Sequence, residues 1–212
     1  GDALRCHDCH LPAGSHTMSG GYDRELVRDA LGLTLAASWQ PELNAIQLVV
    51  AVSVQGVGHR VPGGEHFFRY LSIRTTLHDA SGNVVTPRKQ SSGAVDVTPA
   101  ARPLVVGELP HVEEIRKRLG DFERGTESGV SPTPDTRLNP NETREFVYLV
   151  PLVQADIGKS LKASTTLWYH VLDPEEAKRF HLSTEGLSWK LHRVMSEVVT
   201  DTKAVQKTNV NR

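Results

Sequence analysis

"AIQLVVAVSV", residues 45–54, sets Ile46, Leu48, Val50, Val52 and Val54 at every second position with mixed residues between them. Alternate side chains of a strand point to opposite faces, so this stretch reads as a strand with one face committed to a core. The same period recurs in Leu71, Ile73, Thr75 and Leu77. "HDASGNVV", residues 78–85, then supplies turn chemistry. Two further β-prone runs follow, Phe146 to Val150 and Leu161, Ala163, Thr165, Leu167 and Tyr169. The spacing predicts a mainly β fold, an antiparallel immunoglobulin-like β-sandwich with a few short helices.

Working outward, "YDRELVRDALGL" carries Leu26, Val27, Ala30 and Leu31 at helical spacing, with Asp23 as a cap. "HVEEIRKRLG", residues 111–120, sets Val112, Ile115 and Leu119 on one helical face and predicts a helix that Gly120 stops. Residues 120–142, rich in Gly, Ser, Thr, Pro and Asn, read as a long surface loop. Asp173-Pro174-Glu175-Glu176 combines a cap, a proline at the first helical position and a carboxylate three residues after the cap, which predicts a helix over about 174–180. In the last stretch, Leu187, Leu191, Val194, Met195 and Val198 fit a helix, while 194–200 is also β-prone. These readings divide the chain into an N-terminal segment with a short helix (1–43), a β-sandwich (44–171) with an insertion at about 99–142, and a C-terminal helix and tail (172–212). Trp39, Trp168 and Trp189 read as core or interface anchors.

Charge and hydropathy exclude several classes. With 24 Lys+Arg against 25 Asp+Glu, the 212 residues carry no basic block suited to a phosphate backbone, so nucleic acid is not an expected partner. The longest apolar run, Ile46 to Val54, is interrupted by Gln47 and Ser53 and falls short of the roughly 20 residues a membrane helix needs. Cys6 and Cys9 are the two cysteines of the sequence, and with no third a disulfide framework is not expected. No G-x-S-x-G, H-E-x-x-H or phosphate-cradling glycine loop is present, and no catalytic set is expected.

Cys6-His7-Asp8-Cys9-His10 has the form C-x-x-C-H, the attachment signature of c-type haem. Two thiols about one helical turn apart reach the two vinyl groups of one porphyrin edge, and the adjacent imidazole reaches the iron. Cys6 and Cys9 are therefore the expected thioether anchors and His10 the proximal ligand, with one covalent haem c for the one motif. The rivals are a thioredoxin-type pair and half of a zinc site. The former calls for a strand before the motif, where five residues precede Cys6 here, and the latter leaves the fifth position of the motif unexplained.

For the sixth iron position the candidates are His7, His16, His59, His66, His78, His111, His170, His181 and His192, with Met18 and Met195. Two contexts stand out. "SHTMSGG", residues 15–21, holds His16 and Met18 among small residues, and "GVGHRVPGG", residues 56–64, holds His59 among glycines at the end of a predicted strand. His16 follows His10 by six residues, and extended chain covers at most ~3.5 Å per residue, which makes the far face of the same porphyrin a cramped target. His59 is the expected distal ligand, and His16 the expected ligand of a second, neighbouring haem.

"CHDCHLP" with "SHTMSGG", then "GVGHRVPGG", then "DTRLNPNETREFVYLVP" with "TTLWYHVL", resemble the C-terminal part of multihaem c-type cytochromes of the periplasm and cell surface. The resemblance implies a cytochrome c554-like haem segment followed by a β-sandwich, with a histidine placed like His16 ligating a haem other than that of its own motif. Those relatives carry several C-x-x-C-H motifs, whereas this sequence has one. A chain of haems then requires other copies or a partner.

The expected function is electron transfer by a haem-bearing protein outside the cytoplasm, periplasmic or at the cell surface, because covalent attachment takes place there. The expected partner is a redox protein or further copies of the chain, joined into a homopolymer by haem ligation between subunits. The alternative is a haem-bearing adhesion or assembly subunit in which the sandwich makes the main contacts. Haem-based catalysis or sensing is a third reading, which needs an open sixth position on the iron.

Overall fold

The computed structural model describes residues 20–63, 68–89, 101–117 and 135–201. Their elements run α1 (Arg24–Asp29), β1 (Leu31–Gln40), β2 (Ala45–Val54), β3 (Tyr70–His78), β4 (Ala101–Pro103), β5 (His111–Ile115), β6 (Thr143–Pro151), β7 (Ser160–His170), α2 (Pro174–Arg179) and β8 (Ser188–Val199). They form two four-stranded sheets, β1-β2-β6-β4 and β5-β3-β7-β8. Every pairing is antiparallel except that of β4 with β6. The molecule is a β-sandwich, as its alternating sequence predicts.

The core lies between the sheets. Ile46, Leu48, Val50 and Val52 are fully buried, and β2 is the second strand of its sheet, with neighbours on both sides. Opposite them stand Trp39, Ala37, Leu35 and Leu33 of β1. Leu71, Ile73, Leu77, Leu161 and Leu167 of the other sheet join the same cluster. Each such side chain contributes on the order of 2 kcal/mol through burial. At one side β1 and β8 adjoin, and Trp39 Nε1 donates to the carbonyl of Asp201 at 3.2 Å.

Both helices begin at their predicted caps. The Asp23 carboxylate accepts from the backbone N–H of Glu25 and Leu26, and that of Asp173 from Glu175 N at 2.9 Å. Each satisfies donors that a first turn leaves unpaired. Asp79 likewise accepts from Ser81 N and Asn83 N, both at 2.9 Å, which folds the predicted turn after β3. Its chain returns as a single bridge, His78 to Val84.

Two elements differ from the periodicity, and a third resolves an ambiguity in it. The predicted helix over 111–120 is instead β5 over His111–Ile115, with Leu71 opposite Ile115 and Thr75 opposite His111. Pairing at the β3 edge overrides the helical spacing of Val112 and Ile115, since the same residues also alternate and bury His111 and Ile115. Leu31, counted with the helix, opens β1, because Leu31, Leu33, Leu35 and Ala37 alternate against β2. The stretch with both helical and β character is β8, paired along its length with β7.

Candidate functional site

At one pole of the sandwich, strand ends of both sheets lie near the start of the described chain. Leu31 of β1 stands opposite Val54 of β2, Tyr70 of β3 opposite His170 of β7, and His170 opposite Ser188 of β8. At this pole α1 spans from one sheet to the other. His192 of β8 binds the carbonyl of Arg28 at 3.0 Å through Nε2, which donates because a carbonyl only accepts. Cys6, Cys9, His10, His16, Met18 and His66 lie outside the described residues. What can be described is where their segments join the sandwich.

The N-terminal segment leads into Gly20, whose carbonyl accepts from Asp23 N at 2.8 Å. At Gly21 the backbone passes so close to the sandwich that a Cβ there would stand 2.4 Å from Tyr169 Oη and 2.6 Å from Arg69 Nη1. Only glycine fits without displacing one of them.

The His59 loop leaves β2 at Val54 and is fastened on both sides. Gln55 N donates to Ala30 O at 2.9 Å, and Val61 exchanges two backbone hydrogen bonds with Leu138, at 2.8 and 2.9 Å. Arg60 donates to Asn139 Oδ1 and Asp135 Oδ2, both at 3.0 Å, and Arg137 donates to the same carboxylate. The Arg137 hydrogen bond, followed by that of Arg60, holds the Asp135 carboxyl well below the usual carboxylate range despite its burial. The exposed His59 ring is oriented by its own loop, with Nδ1 2.9 Å from the carbonyl of Arg60. A carbonyl only accepts, so Nδ1 carries a proton, and in the neutral ring the lone pair then falls on Nε2, the arrangement a metal-ligating imidazole uses. A Cβ on Gly63 would stand 2.7 Å from His59 Cε1, so glycine at 63 leaves room for that ring position.

Arg69 follows the loop and is 9% exposed. Its guanidinium lies over the Tyr22 ring at 4.6 Å and reaches the Tyr169 hydroxyl. Tyr169 in turn stacks on Trp189, centroids 5.5 Å apart. Burial pushes the Tyr169 phenol up to about 12, against the pull of the Arg69 charge. Arg69 Nε has no hydrogen-bond partner among the described residues. The sequence gives no sign of this residue, because in "HFFRYL" an arginine beside aromatics looks like any strand-end cation.

The other described histidines are engaged in the scaffold. His78 contacts Thr76 and Gly82, His111 is buried against Tyr148, His170 lies between Ser72 and Ser188, and His181 holds a left-handed turn after α2. Among the described residues no three His, Cys, Asp or Glu side chains gather as a metal site, and no helix is long and apolar enough to cross a membrane. The chemistry of the sequence and of the described residues is compatible with a haem c. The donor set Cys6, Cys9 and His10 suits it chemically, Gly56 and Gly58 border open space, and the orphaned Nε of buried Arg69 suits an anionic edge.

The chain matches no established family profile and no curated protein sequence. Among solved structures it is similar to a penta-heme cytochrome c552 from Thermochromatium tepidum, at 24% identity and a TM-score of 0.64. The match covers 93% of this chain and 48% of the cytochrome. The ApaA protein from Bordetella pertussis aligns over 78% of this chain and 90% of its own at 13% identity, with a TM-score of 0.28 that carries no argument. This chain thus shares the fold of about half of a multihaem cytochrome.

Proposed function

We propose that this chain is a c-type cytochrome that binds haem c covalently and transfers electrons outside the cytoplasm. The observation that carries the reading is Cys6-His7-Asp8-Cys9-His10, supported by the likeness in fold to a penta-heme cytochrome. The thiols of Cys6 and Cys9 would hold the haem covalently, and the imidazole of His10 would ligate its iron. His59 would supply a second imidazole from the fastened loop, its Nδ1–H held by the Arg60 carbonyl. The haem supplies an iron that cycles between ferric and ferrous states. Two imidazoles hold its potential below that of a His/Met pair, because a thioether ligand favours the reduced iron. The partner is a redox protein or a further copy of the chain, with His16 ligating the neighbouring copy's haem.

Denaturing electrophoresis with haem peroxidase staining, alongside the intact mass of protein from its native host, tests the reading. A stained band and the mass of one added haem per motif are expected. An unstained band of bare polypeptide mass overturns it.

A further inference from the structure

Among the described residues, the buried cation of Arg69 has no matching anion. It is 9% exposed, its Nε is without a partner, and no carboxylate pairs with it among the described residues. Among the described residues it meets neutral groups, the Tyr22 ring and the Tyr169 hydroxyl. An aromatic face offsets part of the lost hydration of a guanidinium, and a phenol offsets less than a carboxylate does. Arginine cannot escape by giving up its proton. A buried charge left in this state is strongly unfavourable unless an anion completes the site.

The placement of Arg69 selects the anion. The guanidinium lies beside Gly21, where a Cβ would stand 2.6 Å from Nη1, and in sequence Gly21 leads back to the segment bearing Cys6, Cys9 and His10. In sequence it follows His59 by ten residues. The planar fork of arginine matches a carboxylate with two parallel hydrogen bonds. A haem brings two carboxylates of this kind, its propionates. We propose that Arg69 binds a propionate of the haem held by Cys6 and Cys9, and so sets both the seat of the porphyrin and the potential of its iron. This rests on the haem reading above. Tyr22 and Tyr169 are positioning residues that hold the guanidinium in place.

Pairing with Arg69 cancels one negative charge near the iron and favours the ferrous state. Replacing Arg69 by Gln shortens the side chain but keeps a hydrogen-bonding amide while removing the charge. The haem-loaded Arg69→Gln protein should show a lower reduction potential by spectroelectrochemical titration, and its propionate bending band should shift in the resonance Raman spectrum. Arg69→Lys should return the potential most of the way and the band only in part, since an ammonium is a point charge without the fork. A potential and a propionate band unchanged in both variants, with haem attached, overturn the role of Arg69 alone. That is the result if a carboxylate of the chain itself occupies the guanidinium. A wild-type chain that carries no haem overturns the function as well.

Discussion

His170 lies face to face on Tyr70, with ring centroids 4.1 Å apart and planes 10° from parallel. Ser72 Oγ stands 2.8 Å from its Nε2, and Ser188 Oγ 2.8 Å from its Nδ1. A neutral imidazole has one donor and one acceptor, and the two hydroxyls complement both. One side chain thereby ties β3, β7 and β8 together at the pole that bears the candidate site. The Arg116 guanidinium lies over Tyr70 at 4.6 Å and pairs with Asp173 at 3.1 Å and Glu114 at 3.3 Å.

This arrangement predicts a pH dependence. Burial lowers the His170 pKa from 6.5 to about 4, against the attraction of Asp173 and Glu114 and with a smaller push from Arg116. Between those values the unfolded chain binds more protons than the folded one, so stability rises with pH across this window. The contribution of neutral His170 is complete above 6.5 and is lost as the pH falls through about 4. Denaturant unfolding at about pH 7.5 and about pH 5 should show a larger drop for wild type than for His170→Gln, which itself costs about 1–2 kcal/mol at the higher pH. Equal drops in the two proteins would refute this.

Leu48 is wholly buried, between Ala37 and Tyr148 on its neighbouring strands. Leu48→Ala should cost about 2–5 kcal/mol through lost burial and the cavity left behind. The denaturant midpoint measures the loss. The visible spectrum of the native state should not change, because the residue serves the core and not the site.

Gly63 is predicted to matter through His59. The methyl of Gly63→Ala would overlap the ring at Cε1 and Nδ1, 2.7 and 2.9 Å away, and turn it from the Arg60 carbonyl. His59→Ala should convert the ferric spectrum toward high spin, and Gly63→Ala should do so in part. Global stability should change by less than about 1 kcal/mol in either case, since His59 is exposed. A low-spin spectrum retained in His59→Ala would move the distal ligand elsewhere.

If His16 ligates the haem of a neighbouring copy, purified protein should form large species as its concentration rises, because a heterologous contact that does not close repeats into a fibre. Light scattering should show them for wild type, and His16→Ala should abolish them while leaving the circular dichroism of the sandwich intact. A wild type that stays monomeric at all concentrations ends the polymer proposal and leaves electron transfer standing.

What could be read along the chain is what local chemistry dictates. The alternation from Ile46 to Val54 marks a strand because the side-chain period of a strand is 2, whatever it packs against. Asp23 and Asp173 announce α1 and α2 because a cap binds N–H groups two or three residues away. The C-x-x-C-H run implies its chemistry from spacing alone, and Cys6, Cys9, His10 and His16 remain readings of sequence because they lie outside the described residues.

Tertiary structure decided the rest. His111–Ile115 carries helical and strand periods at once, and the open edge of β3 selected the strand. Leu31 satisfied a helical stripe until Val54 stood opposite it. The burial of Arg69, with Tyr22, Tyr169 and Gly21 around it, joins residues up to 148 positions apart, and no local pattern encodes such a meeting. His170 on Tyr70 is a meeting of the same kind. A backbone period is a property of neighbours in sequence, whereas burial and charge compensation belong to neighbours in space, which only the packing of the two sheets brings together.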